Sequence, residues 1–160
     1  MWTIFGTARE RRALRTGLGI VWTVLALAAL PSCDTARTTV EAGDAWARLG
    51  AVPGRPAAAY FTVHGGPERK TLINVTTDVA IRSEMHESMA NGMRPIASVP
   101  IPAHSDVVFA PGGRHVMLFD VNPGVKPGRY ITLTLSFSDG RRIVTGAKVI
   151  AAGAPRPADS

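Results

Sequence analysis

The stretch "RYITLTLSF", residues 129–137, alternates apolar and polar side chains with a period of two. Because successive side chains of a β-strand point to opposite faces, this pattern predicts a half-buried strand. Its apolar face would carry Ile131, Leu133, Leu135 and Phe137. The "SDG" that follows, residues 138–140, predicts a tight hairpin turn into the next apolar run.

Strand character recurs along the rest of the chain, between turns rich in proline and glycine, and no stretch has the spacing of a convincing amphipathic helix. Several short strands with such turns predict an antiparallel β-sandwich. The further predicted strands are "AAAYFTVH" (57–64), "TLINVTT" (71–77), "VAIRSEMHE" (79–87), "SDVVFA" (105–110), "HVMLFDV" (115–121) and "RRIVTGAKVI" (141–150).

The first 33 residues are typical of an export signal, with arginines followed by an apolar run and then "LPSC". The apolar run, residues 17–30, is short for a membrane span, which needs roughly 20 residues. The three residues before Cys33 resemble a bacterial lipobox, in which the cysteine is diacylated and becomes the mature N-terminus. An ordinary secretory signal, or an uncleaved anchor, with an incidental cysteine is the alternative. Either way we expect the domain to lie outside the cytoplasm, in the periplasm or anchored to a membrane and facing outward.

We therefore expect a signal peptide over 1–33, a small polar linker over 34–43, one domain over 44–150 and a flexible tail over 151–160. The formal charge of +6 comes partly from the signal, since 14 basic and 11 acidic residues lie from position 33 onward. No basic run with interleaved aromatics follows, so nothing favours a nucleic-acid partner. The single cysteine excludes an internal disulfide.

Two segments carry residues suited to metal binding. In "PGGRHVML", residues 111–118, His115 and Met117 are two positions apart and would share one face of a strand. In "EMHESMANGMRP", residues 84–95, a histidine is surrounded by three methionines in a polar stretch that reads as a strand end and a loop: His86, Met85, Met89 and Met93. A flexible loop that uses methionine to fill gaps is the alternative interpretation. If the two segments meet at one end of the sandwich, two imidazoles and two thioethers converge.

Thioether sulfur is a soft, neutral donor that selects monovalent copper, so the inferred ion is Cu(I). A blue-copper electron carrier is excluded, because it needs a cysteine thiolate and Cys33 belongs to the signal. Neutral ligands in an exposed segment favour ligand exchange, which suits transfer to a partner protein. No nucleophile, base and orienting acid stand at a recognisable spacing, so we expect no enzyme. His64 and His104 lack a methionine neighbour and are predicted to be surface histidines, and Trp46 and Tyr60 core or sheet-edge aromatics.

The spacing of His86, Met93 and, after 21 intervening residues, His115-Val-Met117 resembles the His/Met copper motif of the periplasmic PCuAC family of copper chaperones. The resemblance covers roughly residues 38–150. Flanking segments agree with it: "DAWAR" (44–48), "AAAYFTV" (57–63), "MHES" (85–88), "MRPI" (93–96), "IPA" (101–103), "PGGRHVML" (111–118) and "LTLSFSDG" (133–140).

The resemblance implies a cupredoxin-like, Greek-key sandwich that binds Cu(I) and supplies a copper-acceptor protein, such as a cytochrome c oxidase subunit or another assembly chaperone. The expected ligands are His86, Met93, His115 and Met117, with Met89 and Met85 as auxiliary donors. We expect a monomer held at a membrane by its N-terminal lipid or signal anchor.

One departure from the family concerns the first two ligands. Members have a longer stretch between them, and here six residues separate His86 from Met93, which leaves open whether Met93 or Met89 binds. The alternative function is that of a surface-anchored β-sandwich lipoprotein with a non-metal binding or structural role.

Overall fold

The computed structural model describes residues 37–158, so the predicted signal peptide and the lipidation at Cys33 lie outside the described residues. The described part contains no helix long and apolar enough to cross a membrane. It forms ten strands: β1 (Glu41–Arg48), β2 (Ala57–His64), β3 (Lys70–Thr77), β4 (Ala80–Met89), β5 (Gly92–Pro95), β6 (Val99–Ile101), β7 (Asp106–Phe109), β8 (Arg114–Val121), β9 (Tyr130–Phe137) and β10 (Arg142–Ile150).

The strands are hydrogen-bonded in the order β5-β4-β8-β2-β1-β10-β9-β3-β6, and β7 pairs with the second half of β2. Among the described strands every pairing is antiparallel except β1 with β10, where Trp46 lies opposite Lys148 in a parallel register. The all-β, cupredoxin-like prediction is confirmed. Among these strands, the parallel pairing of β1 with β10 is the exception to the predicted antiparallel arrangement.

The main hydrophobic core is formed by buried side chains from every described strand except β5. The alternation that predicted β9 is confirmed: Leu133, Leu135 and Phe137 are each at most 1% exposed. The rings of Phe61 and Phe109 stack in the core with centroids 4.4 Å apart. Ser83 of β4 donates its hydroxyl hydrogen bond to the carbonyl oxygen of Val75 in β3, which ties together two strands that do not pair.

All seven predicted strands are present with ends within two residues of those expected, and three further strands were missed. β5 and β6 have only four and three residues, too few to show a period. In β1 the register shifts between Gly43 and Trp46, and Asp44 has φ of 52°, which interrupts the alternation. β1 also begins at Glu41, inside the segment expected to be linker.

Ala154, in the segment expected to be a flexible tail, contacts the sheet. Ala154 packs against a small cluster formed by Trp46, Tyr60 and Ile150. Its carbonyl oxygen accepts a hydrogen bond from Nη2 of Arg48 at 2.9 Å. The rings of Trp46 and Tyr60 stack with centroids 4.2 Å apart, so both aromatics are buried outside the main core.

Candidate metal centre

The segment expected to be a methionine-rich loop is a tight β-hairpin. β4 continues to Met89, which lies opposite Gly92, and Ser88 lies opposite Met93. The two turn residues are Ala90 and Asn91, and Gly92 adopts φ of 132°, a conformation that favours glycine. The short spacing between His86 and Met93 is therefore absorbed by strand pairing rather than by a loop.

The second metal-binding segment runs alongside the first. A turn closed by a hydrogen bond from the Gly113 amide to the Ala110 carbonyl, 3.0 Å long, leads from β7 into β8. β8 then pairs with β4 in a register that sets His115 directly opposite His86. Because directly opposed residues of an antiparallel pair project to the same face, the two imidazoles are neighbours.

The register places all four predicted ligands on one face of the β5–β4–β8 sheet, which we call the site face. Met117 lies opposite Glu84, two residues before His86, and Met93 lies opposite Ser88, two residues after it. Residues two apart on a strand share a face, so both thioethers lie on the side of the imidazoles.

Burial across the site face is graded. His115 is 5% exposed, and the side chain of His86 is 14% exposed. Their ring centroids are 6.0 Å apart. Met117 is partly buried, and Met93 on the edge strand β5 is 58% exposed. The imidazoles are thus the most buried of the four candidate ligands, and Met93 is exposed to solvent.

Hydrogen bonds orient both imidazoles. Nδ1 of His115 lies 3.0 Å from the Gly113 carbonyl oxygen, and Nε2 of His86 lies 3.1 Å from Oε2 of Glu84. Carbonyl and carboxylate oxygens only accept, so each of these ring nitrogens donates, and the other nitrogen of each neutral ring keeps its lone pair. Within residues 37–158, Nδ1 of His86 is buried without a hydrogen-bond partner.

Glu84 is the acidic residue closest in register to the candidate ligands. The hydrogen bond with His86 and the charge of Arg82 hold the pKa of Glu84 below its usual value, against an opposing effect of partial burial. Arg82 pairs with the Glu84 carboxylate, and its guanidinium carbon lies 4.0 Å from the centroid of the Phe119 ring. A negative charge therefore sits beside His86.

On the other face of the same three strands, ion pairs join β4 to its two neighbours. Glu87 accepts a hydrogen bond from Nη2 of Arg94 at 2.7 Å and lies 3.6 Å from Nε of Arg114, joining β4 to both neighbours. These contacts, led by the Arg94 hydrogen bond, lower the pKa of Glu87. Met85, expected as an auxiliary donor, belongs to this face and is 6% exposed within the core, so its side chain lies on the other side of the sheet from the four predicted ligands.

Met89 lies three residues after His86 on β4, so it points to the other face of the sheet, and it is 57% exposed beside the hairpin turn.

The two remaining histidines lie outside the three strands of the site face. His64 is half-buried and lies 2.9 Å from Oδ1 of Asp106, whereas His104 is exposed with φ of 53°. In the described part of the chain no three His, Cys, Asp or Glu side chains group as a metal site.

Sequence reasoning overlooked two neighbours of the site. Glu84 precedes His86 by two residues, so the period of a strand could have placed it on the site face. Tyr60 could not have been found this way, because its proximity to His115, with ring centroids 6.4 Å apart, depends on the pairing of β2 with β8. Burial raises the pKa of Tyr60, so its phenol stays protonated beside the histidine.

The sequence of this chain matches a known protein family. The family described as "Putative lipoprotein LpqE-like" matches residues 40–149. The chain belongs to the LpqE-like family. Among curated relatives of this LpqE-like chain, "Putative lipoprotein Lxx21020" of Leifsonia xyli is 31% identical over 106 residues, which are 63% of each chain. "Uncharacterized protein RP573" of Rickettsia prowazekii is 28% identical over 99 residues, covering 58% of this chain and 55% of the relative. The matches thus span less than two thirds of either relative.

Solved structures show the same fold. The copper-bound PCuAC domain from PmoF2 superimposes with a TM-score of 0.61 at 24% identity, over 71% of this chain and 93% of that domain. The solution structure of CuI-DR1885 from Deinococcus radiodurans gives a TM-score of 0.53 at 29% identity, over 67% of this chain and 76% of that one. The predicted resemblance of this LpqE-like chain to the PCuAC family is confirmed.

Proposed function

We propose that this protein is an extracytoplasmic copper chaperone that binds one Cu(I) and passes it to an acceptor such as the copper centre of cytochrome c oxidase. The observation that carries the proposal is the site face itself, where His86 and His115 are directly opposed and Met117 and Met93 flank them. Imidazole and thioether donors without a thiolate suit Cu(I). The likeness to DR1885, which was solved in its CuI form, supports the same ion.

The arrangement also suits release of the ion. Four neutral donors leave the charge of Cu(I) uncompensated within the ligand set, and one of them, Met93, is exposed on a short edge strand. An acceptor could replace the Met93 thioether first, while His86 and His115 still hold the ion from the sheet. The proposal assigns the protein delivery of copper and no catalytic step.

The test is a Cu(I) titration against a chromophoric chelator. We expect one Cu(I) per chain, and we expect His115→Ala and Met117→Ala to weaken binding at least tenfold. His104→Ala is the matched control, because His104 is exposed and lies between β6 and β7, outside the three strands of the site face. Equal losses in all three variants would contradict the assignment. Absence of any Cu(I) binding by the wild-type chain would favour a lipoprotein with a non-metal role.

The proposed anchoring to a membrane depends on Cys33, which precedes the described residues. A diacylated Cys33 would hold the domain at the outer surface of a membrane, with the residues before β1 as a tether. Cys33→Ser should then release soluble protein or leave the precursor uncut, as membrane fractionation would show. Mass spectrometry that finds an unmodified mature N-terminus beyond residue 33 would contradict lipidation.

A further inference from the structure

We propose that Glu84 is a positioning residue that makes His86 present Nδ1 to Cu(I), while His115 presents Nε2. The inference rests on the proposed function and names the donor atoms of the same site. The two imidazole rings have different hydrogen-bond acceptors: Glu84 for His86 and the Gly113 carbonyl for His115.

The His86 ring forms a hydrogen bond with the Glu84 carboxylate. The distance from Nε2 to Oε2 is 3.1 Å, and an ionised carboxylate can only accept, so Nε2 carries the proton. A neutral imidazole then has its lone pair on Nδ1. In the described structure this Nδ1 is buried and lacks a hydrogen-bond partner. A buried acceptor without a partner is unfavourable, and a bound metal ion would satisfy it.

His115 has the opposite arrangement. Its Nδ1 lies 3.0 Å from the backbone carbonyl oxygen of Gly113, so Nδ1 donates and Nε2 is left with the lone pair. The two directly opposed rings are therefore held in different tautomers, each by a different acceptor. One acceptor is a backbone atom, which no substitution removes, and the other is the side chain of Glu84.

Glu84 is itself held in place. Its other carboxylate oxygen, Oε1, pairs with Nη1 of Arg82, whose guanidinium lies over the Phe119 ring at 4.0 Å. The carboxylate thus has one partner on each oxygen, and it cannot rotate away from His86 without losing a contact. Since the four ligands are neutral, this nearby negative charge would also favour a bound cation. Outer-shell carboxylates on ligating histidines commonly act in this way.

The first experiment observes the apo protein by long-range ¹H–¹⁵N NMR, with the four histidines assigned from single variants. We expect His86 to show a protonated Nε2 whose signal persists because the hydrogen bond slows exchange with water. The signal should persist in Glu84→Gln, where the amide oxygen still accepts, and disappear in Glu84→Ala. Glu87→Gln is the matched control on the opposite face of β4 and should leave it unchanged. A protonated Nδ1 on His86 in the wild-type apo protein would overturn the proposal.

The second experiment loads the same samples with Cu(I). We expect the ¹⁵N resonance of His86 Nδ1 to shift while Nε2 keeps its proton, and Glu84→Ala to lower Cu(I) affinity about 10- to 100-fold. Glu84→Gln should lower the Cu(I) affinity by a smaller factor than Glu84→Ala. Loss of the Nε2 proton on loading, or equal affinity losses in the two Glu84 variants, would overturn the proposal while leaving Cu(I) binding intact. Failure of the wild-type chain to bind Cu(I) would overturn the proposed function as well.

Discussion

At the scale of single residues, the face on which a methionine lies decides what it can do. Met85, Met89 and Met93 lie within nine positions of one another and look equivalent in the sequence. In the structure Met85 is buried in the core, Met89 alternates away from His86, and Met93 shares the site face. We therefore propose Met93 rather than Met89 as the ligand, because Met93 shares the site face with His86 and Met89 does not.

Substitution of these three methionines by leucine should separate their roles. Met93→Leu removes the exposed sulfur donor and should lower Cu(I) affinity by about 1–3 kcal/mol, by analogy with loss of a partly buried polar contact. Met89→Leu should change affinity little and mainly slow transfer to an acceptor. Met85→Leu conserves core volume and should cost below about 1.5 kcal/mol of stability, with unchanged Cu(I) binding. Chelator competition and urea unfolding measure these effects, and a larger affinity loss for Met89→Leu than for Met93→Leu would contradict the assignment.

At the scale of elements, the β4–β5 hairpin is what brings Met93 to the histidines. A longer connection would leave the sulfur free to move, whereas pairing of Ser88 with Met93 sets its position. The hairpin depends on its turn, and Gly92 there has φ of 132°. A Cβ added at Gly92 would meet no atom within 4 Å, so the cost of a larger residue is backbone strain alone.

Gly92→Ala should therefore destabilise the hairpin by on the order of 1–3 kcal/mol and weaken Cu(I) binding through misplacement of Met93. Gly140→Ala is the matched control, because Gly140 has φ of 82°, also meets nothing within 4 Å and lies in the β9–β10 turn. It should lose comparable stability in urea unfolding without loss of Cu(I) affinity. Equal affinity losses in the two variants would show that general destabilisation, not the hairpin, controls the site.

At the scale of the whole molecule, ion pairs link parts of the chain that are distant in sequence. Lys70 lies 2.7 Å from Glu68 and 2.9 Å from Asp139, and Asp106 pairs with His64 and Arg37. Hydrogen bonds to Lys70 lower the pKa values of Glu68 and Asp139, and the His64 hydrogen bond lowers that of Asp106. A carboxyl whose pKa is lower in the folded than in the unfolded chain stabilises the fold above its unfolded pKa.

The free energy of unfolding should therefore fall as the pH drops through about 4, the unfolded value for these groups, toward their lower folded values. Urea unfolding from pH 7 to pH 3 measures this. Lys70→Gln should make the fall shallower, because Glu68 and Asp139 then lose the contacts that lower their pKa values. Because the groups are exposed, the effect should shrink at high salt. Stability that stays constant over this range would contradict the prediction.

The sequence by itself determined seven of the ten described strands and the donor chemistry of the proposed site. Alternation at period two is a local property, so it predicted seven strands, and the softness of thioether donors pointed to Cu(I) before any geometry was known. The pair His115 and Met117 was predicted to share a face for the same local reason. Strands that were short or bulged, such as β5 and β1, gave no such local signal.

Only the tertiary structure decided which segments meet. The pairing of β4 with β8 sets His86 opposite His115, the β4–β5 hairpin sets Met93 on the same face, and β2 brings Tyr60 close to His115. Register between distant strands depends on how the apolar faces are buried together, and a shift of one strand by one residue would send its candidate ligands to the other face. That choice is made by the packing of the whole chain, so no single segment of sequence contains it.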